Sequence, residues 1–388
     1  MKKKYLIISM DMANLAAGIV FRRLVMAMSE YVDCHVICPR IDDSVNNTIN
    51  VLQCPKYKRL PNRLETSLYN LLGYKLTDYI WSNKVFRKLK KTIRKKKYDA
   101  VLSFVYGGND SPLILGKRIA DGNKLSWSIY SVDAIPAPLS WSKNEKFRCK
   151  RISFLNKYIS QADAYFASNP IMLEYELSLF ASFNGISGYV LTPCVFDHSL
   201  CKESNTHTEI TFLYAGDLYG PRKVSSLLKG FELFSQSNKG SKLVFVGNNA
   251  PSHFNGFEHL LESRQVERHG FTKNIKDFYD RADVLIDLNA DVENDVFLSS
   301  KVCNYLSYNK PIITISNNGS PVRVLMSGIS SIIHSHHDPN EINDAMYKAV
   351  EFVGRDIIDR ESLKRMFHPK QVARIFCEEL EKLTDYVR

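Results

Sequence analysis

Two short stretches carry residue types that grip an anion. Tyr214-Ala215-Gly216-Asp217-Leu218-Tyr219-Gly220-Pro221-Arg222-Lys223 follows an apolar run and precedes a helical pattern. Its glycines let backbone approach a ligand closely, and Arg222 offers a planar fork that matches phosphate oxygens. A solvated loop with two surface cations fits the same letters. The second stretch is Asn294-Asp295-Val296-Phe297-Leu298-Ser299-Ser300-Lys301. Ser299 suits the cap of a helix that runs through Lys301, Asn304, Tyr305 and Tyr308. Ser299, Ser300, free backbone N–H groups and a first-turn lysine would together hold an anion. A cation in that turn opposes the helix dipole, which favours a functional Lys301 over a plain cap with a solvent-facing lysine.

Asp133, in IYSVDAIPAP, lies just past another apolar run. A carboxylate there suits a general base that takes a hydroxyl proton; it suits equally a cap for the turn before Pro136. Tyr106-Gly107-Gly108-Asn109-Asp110 has the make-up of an acceptor-shaping loop. His334-Ser335-His336-His337-Asp338 has metal-ligating types, but its spacing is local and no partner ligands follow, so a polar loop is expected.

These stretches need strands to hold them. Tyr5–Ser9, His35–Cys38, Ala100–Phe104, Leu125–Ser131 and Ala164–Ala167 read as short strands. Between them lie helical patterns at Ile19–Tyr31, Lys84–Lys97 and after Asp110-Ser111-Pro112, where an aspartate cap precedes an early proline. Residues 199–209 are polar and aperiodic, as a linker would be. The alternation then restarts, with strands at Ile210–Tyr214, Leu243–Val246, Val284–Asp287 and Pro311–Ile315. Helical patterns separate these, and a long amphipathic helix, Pro369–Tyr386, ends the chain. The expected fold is α/β: two doubly wound parallel domains, 1–198 and 210–368, facing across a cleft. Residues 369–388 form a last helix that packs back on the first domain. Ligands then sit beyond the carboxyl ends of the strands, where the anion-gripping stretches lie.

Composition is globular, with 45% hydrophobic and 24% charged residues, so the 388-residue chain buries sizeable cores. Tyr5–Met10 is too short for a leader's apolar core, and no stretch of about 18 apolar residues spans a membrane. Eight scattered cysteines without a Cys-x-x-Cys pair read as reduced, mostly buried thiols of a cytosolic protein. The net charge of +11 is placed unevenly: residues 1–100 carry +12, and the rest is about neutral. Lys84–Lys97 alone holds nine cations in fourteen residues. Val85, Phe86, Leu89 and Ile93 share one face of that helix, so it packs on its sheet and shows charge outward. An anionic membrane surface fits that charge, at about 1 kcal/mol per cation. A solvated face fits it too, whereas nucleic acid is excluded for want of an accompanying recognition motif.

The segments YAGDLYGPRKVSSLLKGF, KLVFVGNN, RHGFTKNIKDFYDRADVLIDLN and SSKVCNYLSYNKPIITIS resemble the C-terminal domain of group-1 glycosyltransferases of the GT-B fold. The last is similar to the Ser-Lys, Tyr-Leu, Lys-Pro pattern of a bacterial polysaccharide-type branch. AAGIVFRRLVMAMSEYVDCHVICPR and LTPCVFD resemble the family's first loop and helix and its strand into the linker. The resemblance implies a transferase that takes a sugar from a nucleotide-diphosphate donor without a metal. The implied acceptor is a glycan or lipid-linked glycan, and the implied place is the inner face of the membrane. It assigns the donor diphosphate to Gly18, Gly216, Arg222, Ser299, Ser300 and Lys301, and the base to Gly270, Phe271 and Thr272. A loop glycine beside a buried Phe271 is the alternative for that last segment.

The chain also departs from the family's pattern. The family's loop arginine falls on Asp217, and its Glu-x7-Glu pair falls on Val296 and Asn304, leaving Asn304 for the ribose. A catalytically impaired binding or scaffold protein, and a sugar-nucleotide epimerase on the same fold, are the rival readings.

Overall fold

The computed structural model describes residues 2–13, 15–45, 48–141, 147–180, 186–194, 209–272 and 274–386. The expected linker at 199–209 lies almost wholly outside them. The chain divides into two compact units, 1–195 with 366–388, and 196–365.

The first unit opens with β1 (Lys4–Ile8), α1 (Ala16–Met28), β2 (Asp33–Ile37), β3 (Asn50–Val51), α2 (Asn62–Leu72) and α3 (Leu76–Lys96). It continues with β4 (Ala100–Val105), α4 (Ser111–Asn123), β5 (Ser126–Ser131), α5 (Arg148–Ile159), β6 (Ala164–Ala167), α6 (Pro170–Leu179) and β7 (Ser187–Val190). The second unit runs β8 (Thr211–Ala215), α7 (Ser225–Ser237), β9 (Lys242–Val246), α8 (Glu258–Glu262), β10 (Val266–His269), α9 (Ile275–Arg281) and β11 (Val284–Leu288). It then runs α10 (Ser300–Tyr305), β12 (Ile312–Ile315), α11 (Pro321–Met326), β13 (Ile332–Ser335), α12 (Pro339–Val350) and α13 (Glu361–Met366). A last helix, α14 (Pro369–Tyr386), belongs to the first unit.

Among the described residues the sheets are wholly parallel, ordered β3-β2-β1-β4-β5-β6-β7 and β10-β9-β8-β11-β12-β13. This is the expected doubly wound α/β architecture in each unit. Central strands such as AVLSFV and VLIDL are buried at every residue, because helices cover both faces. In the first unit Phe376 of α14 packs on Phe166 (4.7 Å between ring centres), Tyr130 (6.0 Å) and Phe104 (6.3 Å), beside Phe21 of α1. Phe231 and Phe234 of α7 pack on Phe212 of β8 in the second unit. Truncating such a buried phenylalanine to alanine costs about 3–5 kcal/mol.

Three local expectations change. The basic helix starts eight residues earlier than its charges suggest, at Leu76, because Trp81 and Ser82 already face the core. Val85, Leu89 and Ile93 are buried as expected, but Phe86 stays half-buried beneath the Arg118 guanidinium at 4.4 Å. Asp110 stands at the start of α4 without capping it; its two oxygens accept from Arg151 at 2.6 and 2.7 Å. A bidentate charge-assisted pair outcompetes a single backbone N–H.

Candidate active site

Each sheet reverses its strand order once, between β1 and β4 and between β8 and β11. Loops leaving the carboxyl ends of such strands diverge and leave a crevice. In the second unit those loops are 216–223 and 289–299, which hold the anion-gripping stretches.

Arg222 is 6% exposed, so the surface-cation alternative fails for it; Lys223 beside it is exposed. Its guanidinium stacks over Tyr219 at 4.5 Å. Burial works against its charge, but Tyr219, Tyr214 and Asp287 keep its pKa above the ordinary value. Lys301 arrives from α10 across the bare Cα of Gly216: a Cβ there would lie 1.9 Å from Lys301 Cε. Its ammonium rests 5.4 Å from the Tyr214 ring centre. Burial first, and then the Arg222 charge, push the Lys301 pKa down to about 8, against the pull of Asp287 and Asp217. Asp287 is fully buried and accepts from Ser299 Oγ at 2.7 Å and Asn289 Nδ2 at 2.9 Å. Two neighbouring cations therefore feel one buried carboxylate whose hydrogen bonds go to two other donors. A dianion placed against them would let Lys301 keep its proton.

Ser299 does not cap α10, since its hydroxyl is given to Asp287. The helix has six residues, so the side chains rather than a long dipole supply the positive potential. Ser300 opens α10 half-buried. Asp217 ties down the neighbouring loop: Oδ1 accepts from the Asn248 N–H at 2.7 Å and Oδ2 from its side chain at 3.3 Å. Val296 is buried, and Asn304, expected at the ribose, lies half-buried in α10, where it opposes the burial-driven rise of the Tyr279 pKa. In the base segment Gly270 has open space around it, and Phe271 is 71% exposed, which removes the buried-ring alternative. Thr272 Oγ1 accepts from the Asn274 N–H at 3.0 Å.

In the first unit Gly18 lies inside α1, where a Cβ would meet Asp11 Oδ1 at 2.2 Å. Asp11 is buried and pairs with Arg40 at 3.1 Å. Asp133 follows β5 half-exposed, and its carbonyl accepts from Ser131 Oγ at 2.6 Å. The next residues are clamped. Ile135 N–H donates to Glu176 Oε1 at 2.9 Å, Tyr175 to the Pro136 carbonyl at 2.9 Å, and Arg148 to the Ala137 carbonyl at 2.6 Å. Glu176 is fully buried; burial pushes its pKa up to about 8 and Asp133 adds to the rise, while Ile135 and Tyr165 oppose it.

Sequence reading passed over Asp287 and Glu176. An aspartate inside the apolar run VLIDL was the available signal for the first. For the second no signal existed, because a helical glutamate is normally solvated.

Two histidines of the cluster, His334 and His336, are spent on local contacts. His334 Nδ1 meets Thr314 Oγ1 at 2.6 Å, and His336 bridges Glu341 at 2.7 Å and Asn318 at 2.9 Å. Among the described residues no group of three His, Cys, Asp or Glu is placed to hold a metal. A cavity of about 200 Å3 between β8, β9, β10 and α9, lined by Lys242, Glu267 and His269, includes neither Arg222 nor Lys301.

Residues 209–351 match the family described as glycosyl transferases, group 1. The chain carries a group-1 glycosyltransferase domain. No curated protein matches the sequence. Among solved structures the glycosyltransferase chain is similar to Anabaena Alr3699/HepE in complex with UDP and glucose, at 12% identity and TM-score 0.64, over 98% of this chain and 100% of that one. It is similar to the lipopolysaccharide outer core galactosyltransferase WaaB, at 14% and 0.61, over 98% and 99%. It also matches a UDP-N-acetylglucosamine 2-epimerase, at 13% and 0.56, over 100% and 98%. At such identity these likenesses establish the GT-B fold over the whole glycosyltransferase chain, and the family match establishes the enzyme class. No described helix of the glycosyltransferase is long and apolar enough to cross a membrane.

Proposed function

We propose that the enzyme takes a sugar from a nucleotide-diphosphate donor held by Arg222 and Lys301 and passes it to a glycan or lipid-linked acceptor in cell-surface polysaccharide synthesis. One observation carries this: two mutually repelling cations, buried Arg222 and half-buried Lys301, stand at a strand-order reversal, the second over a glycine that leaves room for it. Arg222 and Lys301 then offset the charge that builds on the leaving diphosphate, without a metal. Phe271 offers an open ring for the base, and a uridine donor is the first to test because HepE holds UDP. Asp133 takes the proton of the acceptor hydroxyl, on a loop kept in place by Glu176, Tyr175 and Arg148. The cations of Lys84–Lys97 draw the enzyme to an anionic membrane.

Thermal-shift measurements with nucleoside diphosphates test the donor site. UDP or another nucleoside diphosphate raises the unfolding temperature of the wild type, and Arg222→Ala and Lys301→Ala abolish the rise. No rise with any nucleotide would instead point to a scaffold protein. Turnover that survives a chelator supports the metal-free step, and loss of turnover rejects it.

A further inference from the structure

Helix α2 is amphipathic, yet none of its residues is buried. Leu64, Leu68 and Leu71 fall at i, i+4 and i+7, on one face. A surface helix normally turns such a stripe to the core, but here Leu64 is 49% and Leu71 61% exposed.

The helix is fixed by polar contacts instead. Glu65 accepts from the Thr77 N–H at 3.3 Å and from its hydroxyl. Gly73 ends the helix in the left-handed region (φ 78°), where a Cβ would strike the Lys150 carbonyl at 2.6 Å. Arg151, locked to Asp110, donates to the Gly73 carbonyl at 3.2 Å and lies 5.9 Å from the Tyr69 ring centre. Lys150 donates to the Leu71 carbonyl at 3.1 Å. Thus α2 is anchored through its backbone, Glu65 and Tyr69, and the two ends of the leucine stripe, Leu64 and Leu71, are left outward with half-buried Leu68 between them.

Its flanks are basic. Lys56, Lys58, Arg59 and Arg63 precede or open it and Lys75 follows it; from 52 to 77 the only acid is Glu65, already engaged. Tyr79 and Ile80, in the first turns of α3, are also exposed. An apolar stripe bordered by cations is complementary to one surface in particular, an anionic bilayer, whose headgroups take the cations while acyl chains take the leucines. An acidic protein would pair with the cations but gives Leu64 and Leu71 no comparable solvent.

We infer that α2 lies in the plane of an anionic membrane, with Leu64 and Leu71 in the headgroup–acyl boundary. The inference rests on the membrane reading above and moves the inserting element from the charged face of α3 to α2. Attraction by α3 alone would be electrostatic and would vanish in salt, whereas inserted leucines hold on.

The test is co-sedimentation of the full chain with phosphatidylcholine vesicles, with and without phosphatidylglycerol, at low and high salt. The wild type binds the anionic vesicles and keeps part of that binding at high salt. Leu64→Ser/Leu71→Ser loses at least about fivefold in affinity and all of the salt-resistant part, with an unchanged unfolding temperature, since neither leucine is buried. Lys90→Glu/Lys91→Glu/Lys95→Glu weakens only the low-salt binding. Equal binding by the leucine variant and the wild type, with loss in the lysine variant, overturns the role of α2 and leaves the membrane reading intact. Failure of the wild type to bind either vesicle overturns both.

Discussion

The strand-end loops of the second unit bring two cations, Arg222 and Lys301, into the field of one buried carboxylate, Asp287. The loop after β5 in the first unit brings one carboxylate, Asp133, against a second, Glu176, that is buried and keeps its proton. The two places solve the same problem with opposite signs. Burial first, and a like charge beside it second, push one group of each set toward neutrality. In the second unit the pressured group, Lys301, is the one proposed to touch the ligand, and an arriving anion relieves it. In the first, the pressured group holds backbone, and the outer carboxylate, Asp133, is the one proposed to meet the acceptor. The contrast teaches that a shifted group marks a ligand site only when its relief has to come from outside the protein.

The largest effect is expected from removing the cation with the strongest hold on its proton. Arg222→Ala lowers donor affinity by about a hundredfold, the loss of charged hydrogen bonds to a diphosphate. Titration calorimetry with the nucleoside diphosphate reads it directly. A loss below threefold would break the comparison, because the second unit's charge excess would then serve stability alone.

For Glu176 the expected signature is in stability. Its folded-state pKa of about 8 lies above the ordinary carboxyl value of 4.5. The folded protein therefore keeps a proton that the unfolded chain gives up between those pH values. Stability is greatest below pH 4.5 on this account and falls as pH rises to about 8, by at most about 1.4 kcal/mol per pH unit. Denaturant unfolding at a series of pH values shows the slope, and Glu176→Gln, which keeps an acceptor for the Ile135 N–H, removes it. An identical slope in the glutamine variant would mean that Glu176 ionises normally.

These two sites were unequally legible in the sequence. Apolar runs broken by glycine loops gave both sheets, since a parallel strand buried on both faces leaves a contiguous apolar signature. Arg222 and Lys301 were visible because cations beside glycines at a strand end are locally encoded. Their surroundings were not, because these depend on Tyr219 packing on Arg222 and Tyr214 lying beneath Lys301. Ser299 as a cap and Asp110 as a cap were fair local readings that lost to tertiary partners, Asp287 and Arg151. Helix α2 is not legible in the sequence, because its leucines make a weak core pattern with no strand beside it to pack on.

Lys301 gives a smaller effect with the opposite slope to a carboxylate. Its pKa of about 8 in the free enzyme leaves it charged below that value, and a bound diphosphate raises it. Donor affinity is therefore full below pH 8 and falls above it, by at most about tenfold per pH unit. The fall is absent in Lys301→Ala, whose affinity is already reduced at pH 7. A wild-type affinity that stays flat from pH 7 to 9.5 would show that Lys301 does not touch the anion.

The smallest effect sharpens the comparison most, because it isolates space from charge. Gly216→Ala adds a methyl where Lys301 Cε now passes at 1.9 Å from the new carbon. The obstructed atoms are the far end of a flexible chain, so the fold yields cheaply and stability changes by less than about 0.5 kcal/mol. The ammonium, however, is turned from the crevice, and donor affinity drops by roughly threefold to tenfold. If this is the whole reason for the glycine, Gly216→Ala has no further effect once Lys301 is alanine. The double-mutant cycle then returns a coupling as large as the single effect of Gly216→Ala. Additive losses would mean that Gly216 meets the donor through its own backbone, independently of the lysine.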